Sequence, residues 1–446
     1  MYFPKPSKQL YLLLRCSGNK IGCSVLKSAI IGLDGVPVKL LQTLADNDTM
    51  PHMKQLIEQG TLTAMRSSLP PNSAASWNSM ITGTNPGTHG VYGFTDFIPG
   101  TYTQSFHNSH KLKTQPFWRK TTERILIINL PAAYPAQPMN GTMITGFVSP
   151  SMEKSVYPNT HLPWLQEHDY KIDVDASLFK ESVPLFLSHL NKALDKRLKT
   201  MDYLLENQRY DTLFFVVTGT DRIEHYLWDA YTDKTHQYHQ DFLDFYTRID
   251  QAIQHITDKL PEDAPLMMLS DHGMGPIHKA VNLNTLLRQE GYLSNDTNLR
   301  KNYNNIKPET RAFAAEQTKI YLNTKERFPK GTVKQDQTEA LQDELTGLLT
   351  ELTYNGEKVV KTVYRKQDIF TGPETGTAPE LIAIPCKGFT FKTGLFKETL
   401  YEDDFLSGTH TEEDAFLYIR GEAEMDYPSI SDALRLFKEF GGYKFA

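Results

Sequence analysis

Cysteine is scarce in this chain of 446 residues: Cys16, Cys23 and Cys386 are an odd number with no close CxxC pair. That excludes a disulfide framework and a thiolate metal site, and it points to a reducing, cytoplasmic location. Long apolar runs are missing too. The best N-terminal candidate, Leu10-Tyr11-Leu12-Leu13-Leu14, is cut off by Arg15, well short of the ~18 residues that span a bilayer and of a signal-peptide core. No membrane association is expected. Neither sign of charge is in large excess: 47 Lys+Arg against 53 Asp+Glu give a net charge of −6, so the basic footprint of a nucleic-acid binder is absent. Internal repeats and low-complexity tracts are absent as well, and with 39% hydrophobic residues the chain can build a sizeable core.

What is present is an alternation of short apolar runs with helical patterns. Ser28 to Leu33, Arg124 to Leu130, Thr212 to Thr218 and Pro265 to Ser270 are continuous enough for strands buried on both faces. Between them, Pro51 opens a helix that stops at Gly60, with Pro just inside the start and Gly just past the end. Further helices are expected over Val183 to Asn207 and Gln237 to Lys259, where Phe242, Phe245, Ile249, Ile253 and Ile256 recur at helical spacing. The pattern predicts an α/β fold with a mainly parallel central sheet flanked by helices. Residues 1–27 read as a disordered leader and 28–287 as the first part of the core. Residues 288–375 read as an inserted lid or cap, with a polar loop over Ser294 to Gln317 and a helix over Gln337 to Leu352. The core pattern is expected to return at Ala378 to Ile384, within a second core segment, 376–446.

Three of the buried strands end on acids. Asp34 follows the first directly, Asp221 lies within three residues of the third, and Asp271 and His272 follow the fourth. In open α/β sheets ligands bind beyond the carboxyl ends of the strands, so these carboxylates converge on one rim. Convergent acids repel unless a cation sits among them. His225 is one helical turn from Asp221, and His410 precedes the apolar run Ala415 to Ile419. Carboxylate and imidazole ligands without thiolates suit zinc or manganese, and this many suit two ions. Asp after a strand, DxxxH or DH alone would be a cap or a surface pair; only their joint occurrence carries the argument. A nucleophile is offered by Ser73, Ser76 and Ser79 after the double proline Pro70-Pro71. A hydroxyl at a helix N-terminus there would face an anion, but serine is a weak nucleophile that needs a metal to activate it. Sequence physics leaves the three serines open.

Taken in order, the segments IIGLDGV, PPNSAASWNSMITGTNPGTHGVYGF, FFVVTGTDRIEHYLW, MMLSDHGMGP and SGTHTEED resemble the alkaline phosphatase superfamily, and within it the type I phosphodiesterase/nucleotide pyrophosphatase branch. The likeness spans about residues 28–421 and includes INLPAAYPAQPMNGTMITGF, IYLNTKERFPKGTV and TAPELIAI. It implies an alkaline phosphatase-like fold and a phosphohydrolase acting on a small phosphorylated substrate. It also implies Ser73 as nucleophile, with a phosphoserine intermediate. Asp34, Asp271 and His272, with Ser73 as fourth ligand, would hold one metal, and Asp221, His225 and His410 the second. The alternatives are a phosphomutase of the cofactor-independent phosphoglycerate mutase type, with the insertion as its lid, and a metal-binding pseudoenzyme that senses a phosphorylated ligand.

The chain departs from its relatives in having Ser followed by two alanines where they show Thr and prolines. Phe94 stands where nucleotide pyrophosphatases carry an Asn that contacts a phosphoryl oxygen, and the sulfatase signature is absent around Ser73. Trp77, His89, Tyr92 and Asp96 lie near the nucleophile in sequence, each as readily packing or capping as touching substrate. His278 reads as a surface residue, and Tyr321 and Asn323 match family positions without an assigned role.

Overall fold

The structure, a computed structural model, describes residues 26–296 and 302–444. Apart from Leu26, which is buried in the core, and Lys27, which pairs with Asp211 at 2.7 Å, the expected leader lies outside the described residues. The four apolar runs form the strands Ser28–Leu33, Ile125–Leu130, Thr212–Val217 and Leu266–Leu269, every residue of them buried. They lie inside an eight-stranded sheet in the order Gly60–Met65, Ala415–Arg420, Leu266–Leu269, Ser28–Leu33, Thr212–Val217, Ile125–Leu130, Gly141–Thr145, Val156–Tyr157. The inner five strands are mutually parallel and the pairings toward both edges are antiparallel.

Both faces are covered, which is why these strands read as unbroken apolar runs. Ala29, Ile31 and Leu33 pack with Phe186 and Leu190 of helix Val183–Asn207 and with Phe242, Phe245 and Ile249 of helix His239–Thr257. Ile30 points the other way, toward Trp77, Met80 and Ile81 of helix Ser73–Thr82 and toward Phe437 of helix Ala433–Glu439. The helix expected from Pro51 spans Pro51–Glu58, with the proline at its first turn.

The inserted region differs from expectation in two places. Within the stretch expected as a polar loop, Ala312–Ala315 is a fully buried strand paired with Lys319–Leu322, because its four residues are small or apolar and pack beside the helix Leu283–Gln289, in one core with the helix Thr338–Thr350. The run expected to return to the core does not rejoin the central sheet. Leu381–Pro385 pairs with Lys319–Leu322 and Val360–Arg365 in a separate four-stranded sheet. An apolar strand satisfies its backbone equally well in either sheet, and the chain re-enters the central one only at Ala415–Arg420. A third sheet, built around Gly273–Asn282, links the two bodies and carries the strand Gly408–Thr411 at its start.

Candidate active site

Because the inner strands are parallel, their carboxyl ends share one rim. Asp34 leaves the first strand there, and Asp271 and His272 follow Leu266–Leu269 after Ser270. Thr212–Val217 leads into helix Gly219–Thr232, which carries Asp221 in its first turn and His225 one turn later. His410 arrives from the opposite end of the chain, on a strand whose register sets it against Met274. Ser73 is the first residue of helix Ser73–Thr82, capped by Asn72, whose side chain accepts from the Ala75 N–H.

These residues fall into two triads, Asp34 with Asp271 and His272, and Asp221 with His225 and His410; within each, one ligand atom per residue lies within 4.8 Å of the others. Ser73 sits on the first, its Oγ 3.1 Å from His272 Nε2 and 3.3 Å from Asp34 Oδ1. His272 Nε2 is 3.7 Å from Asp34 Oδ1 and 3.3 Å from Asp271 Oδ2.

The donor sets suit cations. His225 Nδ1 is 2.8 Å from the Gly408 carbonyl and His410 Nδ1 is 3.0 Å from the Pro71 carbonyl. Donation to those carbonyls assigns the proton of each neutral ring to Nδ1 and leaves the Nε2 lone pairs free. Both Nε2 atoms then face Asp221 Oδ1, at 3.3 and 3.2 Å, and each other at 2.9 Å. Three acceptors aimed at one point repel unless a positive charge lies between them. Asp221 Oδ1 and Asp271 Oδ2 are buried and make no hydrogen bond, which a metal ligand explains. The residues present therefore fit two divalent ions.

Without an ion, protons stand in for part of its charge. Burial, then the charges of Asp271 and Asp221, push Asp34 well above the ordinary carboxylate range; burial, with Asp221 adding, pushes Asp271 up to about 7. Burial opposes the charge on Asp221 too, but His225 and His410 hold its carboxyl well below normal. Burial likewise works against a proton on His225, and Asp221 overcomes it and raises that ring. Burial keeps His272 and His410 low. Without metal, Asp271 thus holds a proton below about pH 7, and a cation must displace it. Apparent zinc affinity is expected to weaken by about tenfold per pH unit for each proton displaced as pH falls from 7 toward 5.5. Competition titrations with a chromophoric chelator measure this, and a pH-independent affinity would contradict it.

The other serines point elsewhere. Ser76 Oγ lies 3.0 Å from Ser67 Oγ, and Ser79 Oγ lies 3.0 Å from Ser68 Oγ and 2.9 Å from His89 Nε2. Ser76→Ala and Ser79→Ala should therefore leave turnover intact. Ser79→Ala, which strips a buried imidazole nitrogen of its partner, should cost roughly 1–3 kcal/mol in thermal or urea unfolding. Loss of activity without loss of stability in either variant would contradict this placement.

Of the residues near Ser73 in sequence, Trp77 reaches the site: its Nε1–H donates to Asp34 Oδ2 at 3.1 Å. Its ring lies so close to Gly32 that a Cβ there would meet Trp77 Cη2 at 2.4 Å. Gly32→Ala should destabilise by roughly 1–3 kcal/mol, read as a drop in Tm; an unchanged Tm would contradict this packing. His89, Tyr92 and Asp96 do not join the triads. Burial drives the His89 ring down to about 3; the Tyr92 hydroxyl donates to the Glu374 carbonyl; Asp96 lies 3.9 Å from buried Lys319. His278 is exposed, Tyr321 packs with Phe97 and Phe313, and Asn323 accepts from the Tyr102 hydroxyl.

A small cavity of about 130 Å³ is bounded by Ser73 and the second triad, and by Phe94, Phe147 and Arg222. Sequence reasoning passed over Phe147 and Arg222. Arg222 bridges Asp221 at 2.9 Å and Asp173 at 2.7 Å. Its position next to Asp221 was the available signal; its partner Asp173 lies too far away in sequence to have been read.

Residues 28–411 match the family model for type I phosphodiesterase/nucleotide pyrophosphatase. Among solved structures, the chain is similar to phosphonoacetate hydrolase from Sinorhizobium meliloti 1021 in complex with phosphonoformate, at 15% identity and a TM-score of 0.64, covering 94% of this chain and 96% of that one. It is similar to murine ectonucleotide pyrophosphatase/phosphodiesterase 5 at 14% identity and a TM-score of 0.56, with the same coverage. At these identities the likeness shows a shared fold. No curated protein matches the chain in sequence.

Proposed function

Because the chain belongs to the type I phosphodiesterase/nucleotide pyrophosphatase family, a family of phosphoric ester hydrolases, we propose that it cleaves phosphate mono- or diesters with two divalent ions, and that Ser73 is the nucleophile. The observation that carries this reading is the placement of the Ser73 hydroxyl against one of two buried acid and histidine triads, each with a carboxylate oxygen that has no hydrogen bond. Asp34, Asp271 and His272 would hold one ion, and Asp221, His225 and His410 the other; zinc or manganese suits the donor types. Such ions supply Lewis-acid charge that lowers the hydroxyl pKa and offsets negative charge building on a phosphoryl group.

The chain's own residues do the rest. Ser73 stands at the N-terminus of a ten-residue helix, whose free N–H groups favour an anion. Its Oγ forms a bond to phosphorus as the ester oxygen leaves, giving a phosphoserine that water then hydrolyses. His272, its Nδ1 3.0 Å from the Gly273 carbonyl, keeps Nε2 toward the Ser73 hydroxyl, and Trp77 fixes the Asp34 carboxylate.

Initial rates on p-nitrophenyl phosphate, bis(p-nitrophenyl) phosphate, p-nitrophenyl phenylphosphonate and p-nitrophenyl sulfate, with zinc or manganese added, test the reading. Chelator-sensitive release from at least one of the phosphorus esters and none from the sulfate is the expected result. Absence of turnover on every phosphorus ester, with metals demonstrably bound, would overturn it.

A further inference from the structure

The cavity beside Ser73 has a wall that no residue of the two triads supplies. Phe94 and Phe147 meet edge to face there, ring centroids 5.4 Å apart at 66°. The Arg222 guanidinium lies over Phe147 at 4.8 Å, and Phe94 packs against Ala74, Val91 and Ala132. Arg222 is itself pinned by Asp173 and Asp221.

Phe94 is also held from behind by the smaller body. The Thr95 N–H and hydroxyl both donate to Glu316, Lys319 Nζ donates to the Thr95 carbonyl at 2.8 Å, and the Phe94 carbonyl accepts from the His107 N–H at 2.7 Å. Glu316 and Gln317 adopt φ of 44° and 47°, uncommon for residues with a Cβ, and this turn carries the Glu316 carboxylate to Gly93. A Cβ on Gly93 would lie 2.0 Å from Glu316 Oε2. A residue gripped on both sides is a fixed wall, not a flap.

At about 130 Å³ the cavity lies well below the ~300–1,000 Å³ of ordinary ligand pockets. From the Phe94–Phe147 wall lining this cavity we infer that the site takes a terminal phosphoryl group bearing one organic substituent, and that Phe94 is a specificity-determining residue excluding a second substituent. The inference rests on the hydrolase reading above and narrows its substrate class to monoesters and compact phosphonates. Diesters and internal nucleotide phosphates would place a group where Phe94 stands.

The test compares kcat/KM for p-nitrophenyl phosphate and bis(p-nitrophenyl) phosphate on the zinc-loaded full chain, for the parent, Phe94→Ala and the better-packed Phe94→Leu, with thermal unfolding as a check on folding. The parent should prefer the monoester at least tenfold. Phe94→Ala should cut that preference at least tenfold, mainly through a lower KM for the diester, and Phe94→Leu should fall between. A parent that prefers the diester, or a preference that neither variant moves beyond twofold, would overturn the inference. If the parent turns over neither ester, the hydrolase reading fails, and calorimetric binding of inorganic phosphate and of bis(p-nitrophenyl) phosphate to the zinc-loaded chain decides the wall separately. Phosphate should bind the parent and the diester only the Phe94→Ala variant; equal binding of both by the parent would overturn the inference.

Discussion

Ser73→Ala should lower kcat on p-nitrophenyl phosphate by at least roughly 10³-fold while the protein keeps its fold and its metals. Of Ser73, Ser76 and Ser79, Ser73 is the one whose hydroxyl touches a triad, 3.1 Å from His272 Nε2 and 3.3 Å from Asp34 Oδ1. Removing it takes away the atom that would bond to phosphorus and leaves Asp34, Asp271 and His272 to hold a cation. Metal content measured beside the rates separates this loss from a failure to bind metal. A variant that retains a tenth of the parent rate with both ions bound would move the nucleophile elsewhere.

The second large effect belongs to Asp221. Its Oδ1 faces both His225 Nε2 and His410 Nε2, and its Oδ2 accepts from Arg222. Asp221→Asn keeps the shape but removes the charge, and the new amide N–H groups can donate to the lone pairs that faced the carboxylate. The variant should therefore fold, bind one ion instead of two, and lose more activity than the roughly 10–100-fold that removal of an outer-shell partner costs. Chelation of the parent should abolish turnover, and should lower Tm because the ions bind only the folded chain. Elemental analysis with parallel rate measurements checks both. An Asp221→Asn protein that holds two ions and works within threefold of the parent would contradict the assignment.

The central strands and the convergence of Asp34, Asp221 and Asp271 on one rim were legible because the physics that makes them is local, whereas the grouping into two triads, with His410 from the far end of the chain, was implied by the family resemblance. A strand buried on both faces must be a continuous apolar run, and the acids that follow Leu33 and Leu269 share a rim once the strands are parallel. The one-turn step from Asp221 to His225 is equally local. The choice among Ser73, Ser76 and Ser79 was not legible from spacing, since all three lie at three-residue steps on one helix. What separates them is Ser67 and Ser68, which pair with the last two across a tertiary contact. The destination of Leu381–Pro385 was hidden for a similar reason: an apolar run records that it is buried, not in which sheet. The Glu316-Gln317 turn lacks the Asn-Gly signal that marks such hairpins. Phe147 reaches the site only through packing between distant segments, and Arg222, though next to Asp221, is aimed by the distant Asp173.

The central claim is that Ser73 accepts a phosphoryl group. The direct measurement mixes the metal-loaded protein with p-nitrophenyl phosphate, quenches it in acid within a turnover, and determines peptide masses. The peptide carrying Ser73 should gain the mass of one phosphoryl group, and the gain should vanish in Ser73→Ala and after chelation. Turnover accompanied by no label on that peptide, or by label on another residue, would contradict the account.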